Sequence, residues 1–344
     1  FVFALVVAAC GGDDDDAGGE STETTAATET TAASTEGGDT AETTTTTAAP
    51  SDDGGTAAGD GLRWRTRPDN DEEAAVYQSI SDELAASLGI TLAYEPGGTE
   101  TAGYQQNLLT ELSAGTAPDV FWLPGTDIAD FATRGVILDL REVADASGHS
   151  DADFYPGPMF HLTFNPETGN TGEALWGLPR DVSAFALYMN TDLIAEAGVA
   201  DPRQLAAEGN WNWDTFREVT DGIGALGTEV VGYGQSSWWG PYGYWMNAAG
   251  GGFFNEDRSA CGLDSEGSIA GMTALADLYG SGSVIPWGED AEAPFRAGNV
   301  GLFQNGRWAT PGVRTVDFNW DVVKLPDGPG GPSNWRFWGA YVVN

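Results

Sequence analysis

The stretch AGTAPDVFWL at residues 114–123 reads as a helix stop, a turn and a buried strand. Ala114 closes an apolar-periodic segment, Gly115 and Pro118 interrupt it, and Asp119 to Leu123 follows as a short, nearly continuous apolar run. A run without polar alternation is what a parallel strand covered on both faces shows. Outward toward the N-terminus, the pattern predicts a strand at Leu62 to Thr66 and a helix at Glu72 to Leu88. The apolar residues of that helix (Ala75, Val76, Ile80, Leu84, Leu88) recur at helical spacing. A strand at Ile90 to Tyr94 and a helix at Tyr104 to Ala114 complete this first set. In the other direction a second set begins with a strand at Ala184 to Met189, a helix at Thr191 to Ala197, and a helix at Trp213 to Ile223 opened by Asn212 as N-cap. It continues with a strand at Val230 to Tyr233, a helix at Ser265 to Tyr279, and strands at Val300 to Phe303 and Trp320 to Leu325. Strand–helix alternation predicts α/β layers on a mostly parallel sheet. Two such sets predict two lobes with a cleft between them, and ligands of such sheets lie at the carboxyl ends of the strands.

Composition narrows the partners. The 344 residues hold 52 Asp and Glu against 14 Lys and Arg, a formal net charge of −38, with Lys324 the single lysine. A nucleic-acid binder that relies on counterion release, or a polybasic membrane-surface protein, does not fit that balance. Two Cys cannot build a disulfide scaffold. Thirteen of the acids, no base and no aromatic residue lie in 11–60, which leaves a formal −25 on the rest. Segment 11–60 is otherwise Thr, Ala, Gly, Ser and one Pro, and it cannot bury enough apolar surface to offset its ordering entropy; it reads as a disordered acidic linker. Ahead of it, Phe1 to Ala9 is a nine-residue apolar run ending at Cys10, far too short to span a bilayer but suited to the end of a signal peptide.

A search for reaction chemistry returns little. The match GIGALG at 222–227 has the GxGxxG spacing but follows a helix rather than a strand, so it reads as a glycine C-cap in the left-handed region. His149 and His161 are the only imidazoles and have no Cys or His partner at ligand spacing, which argues against a zinc site or a histidine-based triad. Acids are too plentiful for one pair to stand out as a glycosidase acid and base. Cys261 reads as a buried small hydrophobe or as one half of a bridge to a Cys outside this sequence.

Several motifs in order carry a family resemblance. They are AGTAPDVFW (114–122), DFATRGVILDL (130–140), WGLPRD (176–181), LYMNTDL (187–193), EAGV (196–199), WNW (211–213), FRAGNVG (295–301) and NGRW (305–308). Together they resemble family 1 extracellular solute-binding proteins, the sugar-binding subunits of ABC importers, similar in plan to maltose-binding protein. The stretch before Cys10 resembles a lipobox, in which the cysteine becomes the lipid attachment point on the outer face of the membrane.

The resemblance implies a type II, two-lobe periplasmic-binding-protein-like fold, each lobe a mostly parallel sheet flanked by helices. On this plan 1–10 is a signal-peptide remnant, 11–60 the linker, 61–181 a first lobe, 182–337 a second lobe and 338–344 the return to the first. Hinge strands fall near Val182 to Ala184 and Trp338 to Tyr341. Relatives continue with further helices that complete the first lobe, so the sequence is expected to be a fragment at both ends. The implied function is carbohydrate capture by hinge closure and delivery to an ABC permease, without catalysis, cofactor or metal. A polyamine or other cationic solute is the rival ligand, and a secreted polysaccharide-active enzyme the rival class.

Sugar rings pack their C–H faces on aromatic side chains, while their hydroxyls need forked donors and acceptors. Trp122, at the end of a buried strand, faces either core or cleft, and the family pattern places an aromatic in the cleft there; Trp308 is similar. The run SSWWGPYGYW (236–245) supplies Trp238, Trp239 and Tyr242 as ligand contacts, with Tyr244 and Trp245 equally suited to the core. Asp69 and Asn70 are hydroxyl partners or caps of the following helix. Arg180, Asp181 and Ser183 fall on the connection between lobes, where Arg180 and Asp181 also suit a surface ion pair. Trp287 and Trp335 complete the candidates.

Overall fold

The computed structural model describes residues 61–98 and 101–344, which lie in one unit, Gly59–Asn344. The expected Cys10 attachment point and the 11–60 linker lie outside the described residues.

The first lobe opens with β1 (Leu62–Thr66), α1 (Asp71–Leu88), β2 (Leu92–Pro96), α2 (Thr101–Ala114) and β3 (Val120–Pro124). Helices α3 (Ile128–Thr133), α4 (Arg141–Ala146) and α5 (Pro156–Leu162) lead to β4 (Leu178–Ala184). The second lobe holds β5 (Ala186–Asn190), α6 (Thr191–Ala197), α7 (Pro202–Ala207), α8 (Trp213–Gly224), β6 (Val231–Gln235), α9 (Trp239–Ala248), α10 (Glu266–Gly280), α11 (Glu292–Arg296), β7 (Val300–Asn305), α12 (Thr310–Val313) and β8 (Trp320–Val323). Strand β9 (Arg336–Val343) returns to the first sheet.

The sheets are ordered β2-β1-β3-β9-β4 and β6-β7-β5-β8. In each sheet the strands share one direction except for a single opposed strand, β9 in the first and β5 in the second. The helix-linked pairs β1/β2, β1/β3 and β6/β7 are parallel, whereas β9 runs antiparallel to β3 and β4, and β5 antiparallel to β7 and β8. The reversals occur at the strands that carry the chain between lobes, which have no crossover helix to restore direction. The outward crossing is at Ala184–Ala186, and the return enters the first sheet at Arg336, so 338–341 lies inside that sheet, paired with 122–124 on β3 and with 178–182 on β4.

Helix α1 overturns an expectation. Val76, Ile80, Leu84 and Leu88 point to solvent, Leu88 at 60% exposure, while Glu73, Tyr77 and Ser81 are buried. The sheet beneath presents Trp64, Tyr94 and Tyr341; the Tyr94 hydroxyl meets Thr66 within the sheet, and the helix face supplies the acceptor that the Trp64 indole needs. Trp64 Nε1 donates to Ser81 Oγ at 2.9 Å, and the Tyr77 hydroxyl donates to Glu73 Oε1 at 3.0 Å. The opposite face of the sheet carries the apolar core, where Phe121, Leu123 and Val342 meet Leu108, Ile128, Phe131 and Leu162.

In the second lobe Asn212 caps α8 as expected, within a reciprocal capping box with Thr215. Tyr244 and Trp245 are buried in its core with Phe216, Tyr233 and Leu275. The glycine run at 222–227 does not form the expected left-handed cap: α8 ends with Ala225 in right-handed geometry, and a Cβ on Gly222 would lie 2.3 Å from Val199 Cγ1. Gly222 and Gly224 admit the close approach of Val199 and Ser283, while Gly227 faces open space.

Candidate ligand-binding site

In the order β2-β1-β3 the chain leaves β1 on one side for β2 and returns on the other for β3, and the carboxyl ends of strands at such a switch point are where ligands of open α/β sheets bind. The turn Arg67–Asn70 leaves β1 there, and Trp122 is the middle residue of β3 rather than its last, the place expected from the sequence. Arg67 and Arg180 both lie over the Trp122 ring, at 5.5 and 5.1 Å from its centroid. The indole lies flat against β9: a Cβ on Gly339 would sit 1.9 Å from Trp122 Nε1, so only glycine admits it. Trp122 is 7% exposed, and neither its Nε1 nor Arg180 Nε and Nη1 has a hydrogen-bond acceptor among the described residues. Burial works against the Arg180 charge, but Asp181, 3.1 Å from Nη2, and Tyr77 hold its pKa above the ordinary value. Arg67 is lowered by burial, which outweighs Asp69 and Glu73.

Asn70 is the cap that one reading expected, its Oδ1 accepting from Glu73 N at 2.9 Å. It also reaches the second lobe, Nδ2 donating to Glu292 Oε1 at 3.0 Å. Asp69 does not cap the helix. Its carboxyl faces that of Glu292 at hydrogen-bonding distance, while its backbone N–H donates to Glu73 Oε2 at 2.7 Å. Burial, then the facing Asp69, pushes Glu292 up to about 9.

Arg180 and Asp181 are partly buried rather than a surface pair, with side chains 13% and 21% exposed. Asp181 also pairs with Arg307, and Ser183 Oγ accepts from Arg307 N at 3.0 Å. The turn after β7 therefore joins two groups of candidates, because its next residue is Trp308. That indole packs on Phe185 and Phe337, at the base of both crossings, with ring centroids 6.4 and 5.6 Å away. Phe337 in turn meets Trp238 at 5.3 Å and Trp239 at 5.8 Å, and Trp239 meets Trp335 edge-on at 5.4 Å. One helical turn along α9, Tyr242 stacks on Trp287 with centroids 4.6 Å apart and planes 10° off parallel. Trp287 is half exposed and Trp239 nearly so, leaving aromatic faces open to a ligand.

The structure thus groups Asp69, Asn70, Trp122, Arg180, Asp181 and Ser183 in one polar cluster, and Trp238, Trp239, Trp308 and Trp335 in one aromatic cluster, with Tyr242 and Trp287 beside it. Sequence reading missed Arg67, Glu292, Arg307, Phe185 and Phe337. Arg67 stands two residues before the candidate Asp69, and Arg307 lies within NGRW. Nothing in the sequence distinguishes Glu292 among so many acids. A recess of about 410 Å³ is lined by Val182, Ser183, Tyr188, Arg307 and Trp320 among others, and it shares Ser183 with the polar cluster. Among the described residues no group of three or more His, Cys, Asp or Glu is placed to hold a metal ion.

The sequence model of the family described as bacterial extracellular solute-binding protein matches residues 79–344. The galactooligosaccharide-binding protein of Bacillus subtilis (strain 168) is 26% identical over 250 residues, covering 70% of this chain and 54% of that protein. A maltooligosaccharide ABC transporter solute-binding lipoprotein of Streptococcus pneumoniae (strain ATCC BAA-255 / R6) is 22% identical over 287 residues, covering 78% and 62%. The chain therefore spans little more than half the length of these curated relatives. Among solved structures, an ABC transporter solute-binding protein from Thermotoga lettingae TMO bound with α-D-tagatose superposes with a TM-score of 0.69 at 19% identity, over 82% of this chain and 72% of that one. That likeness carries the fold, a type II two-lobe periplasmic binding protein.

Proposed function

The chain belongs to the bacterial extracellular solute-binding proteins, and from that premise we propose that it captures a carbohydrate between its lobes and delivers it to an ABC permease. The observation that carries the reading is the aromatic cluster at the crossing strands, running from Trp308 through Trp238 and Trp239 to Trp335 and flanked by the Tyr242/Trp287 stack. It offers flat apolar faces next to the forked polar groups of Asn70, Arg180, Asp181 and Arg307, the combination a sugar ring requires. The names of the two curated relatives, each binding an oligosaccharide, support the same ligand class.

In this reading the first lobe runs from 61 to the end of β4 and takes back β9, and the second runs from β5 to the segment before β9, which moves the expected boundaries at 181/182 and 337/338 to the crossings. The lobes rotate about Ala184–Ala186 and the segment entering β9. A ligand touching both lobes has a higher affinity for the closed form and shifts the equilibrium toward it, which is the shape a permease reads. Cys10 is the lipid attachment point and 11–60 the tether that holds the lobes on the outer face of the membrane. No nucleic acid takes part.

Calorimetric titration of the whole chain with neutral mono- and oligosaccharides tests the reading, with spermidine and a chromogenic glycoside as the rival arms. A sugar that binds, and binds more weakly to Trp122→Ala and Trp308→Ala, is the expected result. Unchanged affinity in both variants removes the site assignment. Binding of spermidine alone, or turnover of the glycoside, overturns the ligand class.

A further inference from the structure

Two carboxyl groups meet where the lobes touch. Asp69 stands in the turn after β1, and Glu292 opens α11 in the second lobe. Their side chains lie within hydrogen-bonding distance of each other, and Asp69 Oδ2 is buried with no donor from any other group among the described residues. Two carboxylates are both acceptors, so this contact exists only if one of them holds a proton. The surroundings fix the pair in place. Asn70 Nδ2 donates to Glu292 Oε1 at 3.0 Å across the lobe boundary, and Glu72 forms an ion pair with Arg296 across the same boundary. Gly312 of α12 closes over the contact, and a Cβ there would lie 3.0 Å from both Asn70 Nδ2 and Glu292 Oε1.

We propose that Asp69 and Glu292 form a proton-sharing latch between the lobes, so that closing the cleft takes up one proton. In the open form both groups face water and are ionised at neutral pH. Closure brings them together, one proton enters from solvent, and the pair, now one carboxyl donating to one carboxylate, carries one negative charge instead of two. No bond other than O–H is made.

The charged groups around the pair do not supply the missing positive charge. Arg67 faces Asp69, but Asp290 and Glu73 face it too. On the other side Arg296 Nη1 lies 3.9 Å from Glu292 Oε1 and is already shared with Glu72. Burial and like charge therefore both favour the protonated form, as in other paired carboxyls. The sign follows. Glu292 in the contact is pushed up to about 9, whereas a solvated Glu titrates near about 4.3. Between those limits closing needs a proton, so the closed fraction relative to open falls by up to about tenfold per pH unit as pH rises, and it is level outside them.

The consequence for capture rests on the hinge-closure reading given above, but the test needs no ligand. Small-angle scattering of the unliganded whole chain from pH 5 to pH 10 should show an expansion as pH rises. In Glu292→Gln, whose amide donates to Asp69 at every pH, the expansion should be lost and the compact form kept. A carboxyl carbon resonance titrating well above the ordinary range should be present in the wild type and absent from Glu292→Gln, with unchanged near-ultraviolet circular dichroism reporting the fold. A pH-independent radius in the wild type, the same expansion in both proteins, or no high-titrating carboxyl overturns the latch. Failure of every sugar to bind would leave these measurements untouched, and a pH-independent radius would leave the sugar titrations to be judged on their own, so the two readings fail separately.

Discussion

The side chain of Asn334 holds both backbone groups of Phe185: Oδ1 accepts from its N–H at 3.0 Å and Nδ2 donates to its carbonyl at 2.8 Å. Phe185 is the single residue between β4 and β5, and Asn334 precedes β9, so one amide ties the outgoing crossing to the returning one. Phe185 is buried, and Asn334→Ala would leave its N–H without a protein partner. The expected cost is about 1–3 kcal/mol by urea unfolding, from the two lost bonds to Phe185, the lost bond from Trp335 N to Oδ1, and one buried donor left unsatisfied. Asn334→Asp keeps the acceptor and loses the donor, and should fall between Asn and Ala.

Helix α1 offers a paired comparison. Ser81→Ala removes the acceptor of a buried indole N–H and should destabilise the chain by about 1–2 kcal/mol. Ile80→Ser alters a residue 48% exposed and should change stability by no more than about 0.5 kcal/mol. Equilibrium unfolding of both variants checks the pair, and a larger effect at Ile80 than at Ser81 would reverse the assigned face.

That helix also shows where sequence reading stops. Its span, its cap at Asn70 and its following strand were all legible, because local spacing and capping chemistry decide them. Its buried face was not. Apolar periodicity pointed to Val76, Ile80 and Leu84, but the sheet underneath is lined by Trp64, Tyr94 and Tyr341, and what an aromatic with a polar handle needs opposite it is an acceptor. The same limit governs the site. Trp238, Trp239 and Tyr242 were visible as a dense aromatic run, whereas Phe185 and Phe337 join them only through the pairing of the crossing strands, 152 positions apart in the chain. Glu292 acquires its character from a carboxyl 223 residues away, a separation that no local pattern encodes.

The open aromatic faces lead to a graded expectation for ligand affinity. Trp239 and Trp287 are exposed enough to cover a sugar ring, and replacing either by Ala should weaken binding of the best sugar by about tenfold or more, near 1.4 kcal/mol. Trp245, buried in the core, should instead lose stability on the same change, about 3–5 kcal/mol. Calorimetry at low and high salt adds a second readout: a neutral ligand held on aromatic faces should lose little affinity as salt rises, whereas a cation should lose much.

Acid sensitivity of the first lobe should centre on Glu95. Burial alone would raise this carboxyl, but hydrogen bonds from Arg63 at 2.6 Å and Arg65 at 2.8 Å hold it below its ordinary value. A lowered folded-state pKa stabilises the fold at pH above the unfolded-state value, and that contribution disappears as pH falls through the folded-state value. Arg65 also bonds Glu111 at 2.7 Å, so the arginine keeps one partner when Glu95 is neutralised. Glu95→Gln should accordingly lower the melting temperature at pH 7, and the gap to wild type should close as pH drops below about 4. A gap that persists unchanged at pH 3 would assign the loss to packing of the side chain instead of its charge.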